Sequence, residues 1–481
     1  MTVLKLEDRL AVLTPEQRAL LAVRVKRLNL DPTRIAIVDR PVHEGLFPLS
    51  VGQRRLWDMH QQAPEIPVNV VSQVLSLEGA LDADAMADAL KALVARHESL
   101  RTCFVADGPW QQVVDNVTLP LTRIEAPQVA PEERDAWVYR FAVEDAWLPF
   151  DLFTAPLIRT TLISDGDKWH RLVFTIHNLV FDAWSFDVLL RELKRLYNAR
   201  VEGEEAELGP LPLQYIDYAV WQGGWLRSTP YRQQLEHWRS LLSAASPAEI
   251  PTDRPKQEQR SWRGRRVNFT LPKTTKEKLT AMARAEGATL FMALVALTQL
   301  LVHDRSGGEE VCIGTLNANR SRSEIENVLG FFLNIVPVYG RLSSDLTFKE
   351  LLAQVKKASL GAMANGDVPY EEMVRELGLD MEAPRNPLFD LLFIFENIPA
   401  AAEAFRGLRM SSRDMDKQTA RFDLSLAVYD DVDLFHGWLE YNVELFDEQT
   451  ATAIAEQFAT MTKRVAENGS LTLRALLGSD C

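Results

Sequence analysis

Cysteine is scarce in this chain. Cys103, Cys312 and Cys481 are the three in 481 residues; they lie far apart and show no metal-ligand spacing. Any disulfide scheme leaves one of them unpaired, which excludes a disulfide-stapled scaffold and points to a reducing compartment. Positive charge is short as well, with 53 Lys and Arg against 67 Asp and Glu and a formal net charge of -14. Nucleic acid is thereby disfavoured as a partner, because a phosphate backbone calls for a basic surface. Long apolar runs are missing: no stretch reaches the ~20 residues a helix needs to cross a bilayer. The opening residues Met1-Thr2-Val3-Leu4-Lys5-Leu6-Glu7-Asp8 carry acids where a signal peptide has a basic patch and an apolar run. The expectation is a soluble, cytoplasmic protein with no membrane partner. The composition is 47% hydrophobic and 25% charged, the balance of a globular chain rather than a disordered one. A chain of 481 residues is too long for one ordinary core, so two or more substructures are expected.

Residues 1–45 read as an appendage, a docking or linker segment. Thr14-Pro15-Glu16-Gln17 is a helix start, with a capping threonine, proline at the first helical position and glutamine completing the box. The helix that follows either contacts an upstream protein or packs on its own domain. From residue 46 onward, expected strands at 70–77, 111–114 and 172–176 alternate with helices at 83–97 and 186–201. A linker helix is expected at 231–244, then a segment rich in proline and charge over 251–266, after which strands and helices resume. No short repeat and no low-complexity tract interrupts this pattern. The fold class is mixed α/β, divided into an N-lobe over 46–225 and a C-lobe over 226–481 that includes the linker helix.

One segment concentrates the chemistry. Phe174-Thr175-Ile176-His177-Asn178-Leu179-Val180-Phe181-Asp182-Ala183-Trp184-Ser185 reads as a buried strand that delivers polar side chains and then turns into a helix. Neighbours on a strand alternate, so His177 and Asn178 are expected to face opposite ways. The segment resembles the His-His-x-x-x-Asp-Gly signature of condensation domains from nonribosomal peptide synthetases, with Asn178 in the slot of the second histidine and Ala183 in that of the glycine. Eight further stretches are similar to the same family, in its order. They are Ser50-Val51-Gly52-Gln53-Arg54-Arg55-Leu56-Trp57, Arg96-His97-Glu98-Ser99-Leu100-Arg101-Thr102-Cys103-Phe104, Tyr215-Ile216-Asp217-Tyr218-Ala219-Val220-Trp221-Gln222, Ile313-Gly314-Thr315-Leu316-Asn317-Ala318-Asn319-Arg320, Leu329-Gly330-Phe331-Phe332-Leu333-Asn334, Asp367-Val368-Pro369-Tyr370-Glu371, Arg385-Asn386-Pro387-Leu388-Phe389 and Arg421-Phe422-Asp423-Leu424.

The resemblance implies two lobes of chloramphenicol-acetyltransferase-like fold arranged as a V, with the active site at their junction. It implies tunnels through which donor and acceptor carrier proteins present phosphopantetheine arms, and no cofactor bound by this chain itself. The implied chemistry is acyl transfer from a carrier-bound thioester to an amine, or sometimes a hydroxyl, on the acceptor. In the family the second residue of the histidine pair meets the substrates and the first supports the loop, so Asn178 occupies the catalytic position beside His177. The aspartate at Asp182 is mainly structural in the family, and Arg320 is the candidate for its ion-pair partner.

An imidazole titrates near neutrality and can take a proton from an attacking group; a carboxamide keeps one acceptor oxygen and two donor hydrogens but has no useful proton affinity there. General-base catalysis typically contributes ~10²–10⁴-fold. Its loss penalises a hydroxyl acceptor more than an amine that arrives neutral. Ala183 narrows a space that glycine leaves open and restricts the backbone. Trp184 reads as core and Ser185 as a helix cap. His97 and Arg101 read as structural, and Asn334 as a buried asparagine satisfying backbone. Arg54 and Arg55 either meet a carrier phosphate or form a solvated face. His43, His60, His170, His237, His303 and His436 form no metal pair at i, i+4. Three functions stay open: a condensation enzyme in which Asn178 positions rather than titrates, a retired domain that binds carriers or recruits a tailoring enzyme, and a relative with different acceptor chemistry such as hydrolysis, dehydration or cyclisation. A heterocyclising relative is disfavoured, since no aspartate stands at 177 or 178.

Overall fold

In the computed structural model the described residues are 37, 40, 44–106, 108–257, 261–381, 383, 386–397, 404–431 and 435–478. The helix expected after Thr14 lies outside them. The contacts divide the chain into two units, residues 1–233 with 320–332 and 402–417, and residues 234–319 with 333–401 and 418–481. The units therefore do not follow the two halves of the sequence as expected, because two pieces of the second half belong to the first unit.

The first unit is built on a five-stranded sheet in the order Arg409–Asp414, Val70–Glu78, Trp169–His177, Ile158–Asp165, Leu121–Glu125. Its centre is antiparallel, with Val70 opposite His177 and Ile158 opposite Ile176. The strand Trp169–His177 is buried along nearly its whole length. That is why its middle, Leu172-Val173-Phe174, reads as an apolar run instead of an alternating one: both faces are covered. On one face Val173 packs with Val74, Val138 and Ala142, bringing in the helix Pro131–Trp147. On the other, the Phe174 ring meets Phe186 edge to face at 5.9 Å, from the helix Ala183–Glu202. The hairpin into this strand turns on Gly166 at φ 60°, a left-handed conformation that glycine adopts at no steric cost. The helix Ala83–Arg96 is capped by Asp82, which accepts from the Asp84 and Ala85 amides. A small sheet of Phe47–Pro48, Trp110–Val113 and Thr102–Val105 completes the unit.

His97 follows the helix Ala83–Arg96 and is fully buried, its Nε2 2.7 Å from Glu192 Oε2, with Arg96 Nε at 3.1 Å from the same oxygen. Burial alone would raise the Glu192 carboxyl, but the His97 and Arg96 contacts outweigh it and hold the group below its usual range. The structural role expected for His97 matches this position.

The second unit carries a six-stranded sheet in the order Asn334–Arg341, Glu310–Asn317, Leu391–Asn397, Leu424–Asp430, Phe435–Asn442, Gly264–Leu271. The helix Leu290–Ser306 is apolar all round, and every residue from Met292 to His303 is buried, as expected of a helix enclosed by core. Thr289 caps its start by accepting the Met292 amide, and Gly307 ends it in the left-handed region. Asn334 donates to the carbonyls of Gly366 and Val368 at 2.9 and 2.7 Å and accepts the Tyr370 amide at 3.0 Å, the backbone-satisfying role read from the sequence. Cys103 and Cys312 are buried free thiols, and burial pushes the Cys312 thiol up to about 12. Among the described residues no single helix is long and apolar enough to cross a membrane.

Candidate active site

The site lies in the first unit, where the strand Trp169–His177 ends. His177 is its last residue, and Asn178 opens a 3-10 turn over Asn178–Val180. This corrects the expectation of strand alternation. Asn178 is not a strand residue, so what separates the two side chains is the turn. His177 holds that turn: its Nδ1 accepts the Leu179 amide at 3.2 Å, which places a neutral ring's proton on Nε2. The His177 side chain is buried, its ring edge-on to His60 at 5.5 Å and to Phe150 at 5.9 Å. Asn178 is half-buried, and its Oδ1 is a buried acceptor with no hydrogen-bond partner among the described residues.

The chain then straightens through Phe181 and Asp182 and enters the helix Ala183–Glu202, with Asp182 as the cap. Asp182 Oδ1 accepts the Ser185 amide and lies within hydrogen-bond distance of the Ser185 hydroxyl, both at 2.7 Å, and of an Arg320 nitrogen at 3.0 Å. Its Oδ2 accepts the Phe332 amide at 3.0 Å and a longer Arg320 contact at 3.3 Å. Asp182 and Arg320 side chains are each about 1% exposed. Arg320 spends its other amino group on the carbonyls of Ile325 and Val328 at 2.8 and 2.6 Å, and its guanidinium stacks 4.1 Å over the Phe332 ring. A carboxylate with this many partners has no lone pair left for a substrate proton. Asp182 and Arg320 tie residues 325–332 beneath the turn.

Three other readings from the sequence change. Trp184 is 42% exposed rather than core, because it sits on the outer side of the first helical turn, and its Nε1 donates to the Glu326 carbonyl at 2.9 Å. Ser185 is not the cap but the third helical residue, buried between Asp182 and the Gly330 amide, which donates to its hydroxyl at 3.0 Å. Ala183 is the first helical residue and exposed, and it is not among the residues with positive φ. The backbone freedom of glycine is therefore not needed there, and only the added methyl distinguishes the two residues.

Some contributors were not singled out in the sequence. Gln53 is buried, with its Oε1 accepting the Ser50 amide at 3.1 Å and its Nε2 donating to the Leu179 carbonyl at 2.9 Å. It thus ties the turn at Asn178 to the helix Val51–Gln62. The Ser-x-x-Gln spacing of a capping box was the available signal. Tyr215 lies 2.7 Å from the Ser50 hydroxyl and donates to the Phe331 carbonyl at 2.6 Å. Burial raises its phenol well above the ordinary range, so it stays a neutral donor. Gly330 lies against this ring, and a Cβ there would come within 1.9 Å of Tyr215 Cδ2. Gly330→Ala is expected to destabilise the first unit by about 1–3 kcal/mol through overpacking, read as a lower midpoint in urea with an unchanged slope.

A family model for the condensation domain matches residues 43–478. The chain is 37% identical over 475 residues to phosphinothricin tripeptide synthetase PhsC of Streptomyces viridochromogenes, covering 98% of this chain and 44% of that protein. It is 32% identical over 447 residues to tyrocidine synthase 3 of Brevibacillus parabrevis, covering 92% of this chain and 7% of that protein. This chain spans less than half the length of either relative. Among solved structures, the X-domain from teicoplanin biosynthesis aligns with TM-score 0.81 at 28% identity, covering 91% of this chain and 98% of that one. The condensation domain of the monacolin K polyketide synthase MokA aligns with TM-score 0.80 at 21% identity, covering 89% of this chain and 99% of that one, a likeness of fold. With the motifs in order, the paired Asp182 and Arg320, and a match over nearly its whole length, this chain belongs to the condensation-domain family of nonribosomal peptide synthetases and has its chloramphenicol-acetyltransferase-like fold.

Proposed function

We propose that this domain transfers an acyl or peptidyl group from a carrier-bound thioester to an amine, with Asn178 holding the nucleophile rather than deprotonating it. The amine nitrogen attacks the thioester carbonyl, the C–N bond forms, the C–S bond breaks, and the departing sulfur leaves with the amine's proton. The observation that carries this reading is the buried, unpartnered Oδ1 of Asn178 above a saturated Asp182, Arg320 and Ser185 framework. A buried acceptor without a partner carries a desolvation cost that an incoming N–H relieves. Asn178 Oδ1 would take one N–H of a neutral amine and aim its lone pair at the carbonyl. Positioning of that kind is worth up to ~7–11 kcal/mol in favourable geometries. Donor and acceptor carrier proteins supply both substrates on phosphopantetheine arms, in the cytoplasm, and the chain contributes no cofactor.

A second reading is a retired domain that recruits another protein. It is favoured by the likeness to the teicoplanin X-domain, 28% identical here, for which a complex with OxyB has been solved. An intact-protein mass assay with loaded donor carrier and free amine acceptor separates the two. Under the first reading wild type forms product above the no-protein blank and Asn178→Ala forms less. Equal product from the two removes the positioning role, and carrier binding without product from either leaves the recruitment role.

A further inference from the structure

Ile37 and Arg40 precede the family match, yet both are buried in the first unit, at 2% and 4% exposure. Arg40 bridges two carboxylates, Asp217 at 2.9 Å through one amino group and Glu98 at 2.8 and 3.0 Å through the other. Its own amide also donates to Asp217 at 3.1 Å, and its guanidinium lies 4.9 Å from the Phe47 ring centroid. Ile37 belongs to an apolar cluster with Leu213, Tyr215, Tyr218, Ile325, Val328 and Phe332.

The last three of these residues are the ones whose backbones serve the site. Ile325 and Val328 offer their carbonyls to Arg320, and the Phe332 amide donates to Asp182. The carboxylates that grip Arg40 reach the same stretch from the other side. Asp217 accepts the Gln214 amide at 2.6 Å, fixing the start of the helix whose Tyr215 donates to Phe331. Glu98 opens the short turn Glu98–Arg101, in which the Ser99 hydroxyl donates to the Leu329 carbonyl. Two routes, one apolar from Ile37 and one ionic from Arg40, therefore run to the strip 325–332.

We propose that Ile37 and Arg40 are positioning residues for the active site, a strap that holds the strip 325–332 and, through it, Asp182 and the turn at Asn178. The functional domain accordingly includes residue 37, and the segment upstream of residue 46 is not only a linker. Removing either residue frees the strip while the sheet beneath keeps its own hydrogen bonds. The inference about turnover rests on the acyl-transfer reading; the structural part does not.

Amide hydrogen exchange on the full chain tests it, comparing wild type with Ile37→Ala, Arg40→Ala and Arg40→Lys. The reporters are the amides of Ser185, Gly330 and Phe332, each bonded to a side chain of the framework. Ile37→Ala and Arg40→Ala are expected to speed their exchange on the order of ten-fold, with protection kept in the strands Val70–Glu78 and Trp169–His177. Arg40→Lys retains the charge without the fork that spans both carboxylates and is expected to rescue only part of the loss. Unchanged exchange at Gly330 and Phe332 in either alanine variant overturns the proposal. So does acceleration spread evenly through the first unit. Should Arg40→Ala not fold, Ile37→Ala, which leaves every charge paired, decides alone. In the mass assay both alanine variants lower kcat and leave KM for the acceptor unchanged. A wild type that makes no product refutes acyl transfer, and the exchange result still judges the strap.

Discussion

Asn178→His is expected to raise product formation from an amine acceptor by about 10²-fold and from a hydroxyl acceptor toward ~10⁴-fold, the span that general-base catalysis covers. The residue opens the turn that His177 caps, and its Oδ1 has no partner among the described residues to lose. An imidazole there would gain a proton-accepting nitrogen while the framework of Asp182, Arg320 and Ser185 stays in place. The two acceptors differ because an alcohol must shed its proton as it attacks, whereas a neutral amine already carries a free lone pair. The pH profile gives a second reading. The histidine variant needs the neutral ring, so its rate climbs as pH rises through the imidazole value of about 6.5 and falls off below it. Wild type has no such limb from position 178, since a carboxamide does not titrate. A variant no faster than wild type with either acceptor would show that position 178 does not meet the nucleophile.

Arg320→Ala is expected to cost about 3–5 kcal/mol of stability and to abolish turnover, the usual result of stranding one member of a buried ion pair. Asp182 would keep its bonds from Ser185 and Phe332 but lose its counter-charge at 1% exposure. The carbonyls of Ile325 and Val328 would lose the Arg320 donor as well. Arg320→Lys is not a conservative change here, because one ammonium cannot serve the carboxylate and two carbonyls in the fixed directions of a guanidinium. Removing both charges together, as Asp182→Asn with Arg320→Met, is expected to cost less than Arg320→Ala alone, since no unpaired charge remains buried. Urea unfolding of the four proteins reads the difference. A double variant weaker than the single one would mean that the pair stabilises the unit rather than merely positioning it.

The strong periodic elements were visible in the sequence, and their ends were not. The strand expected at 172–176 runs from Trp169 to His177. Its first residues look polar, yet Trp169 lies between Arg134 and Arg171, with guanidiniums 4.2 and 4.1 Å from its ring. Such cation–π packing buries groups that hydropathy assigns to a surface. The helix expected from 186 begins at Ala183 because Asp182 caps it, a role hidden while Asp182 was read only as a motif residue. The pair of Asp182 with Arg320 was legible through family resemblance alone, since 138 residues separate them. Contributions from the Phe332 amide and the Gly330 backbone were not legible at all, because main-chain groups carry no residue-type signal. The strand Arg409–Asp414 is polar, and its antiparallel pairing with Val70–Glu78 is a long-range event that local pattern does not encode.

That pairing has a consequence for synthesis on the ribosome. The strand Val70–Glu78 emerges early, while the neighbour that covers its outer side is translated more than three hundred residues later, as Arg409 pairs with Glu78 and Asp414 with Gln73. During the interval a nascent chain holds an uncovered sheet border, the kind of surface that recruits foreign strands. Truncated products ending before residue 409 should therefore clump where the complete polypeptide does not, and grafting only residues 46–233 into another protein would carry that open border with it.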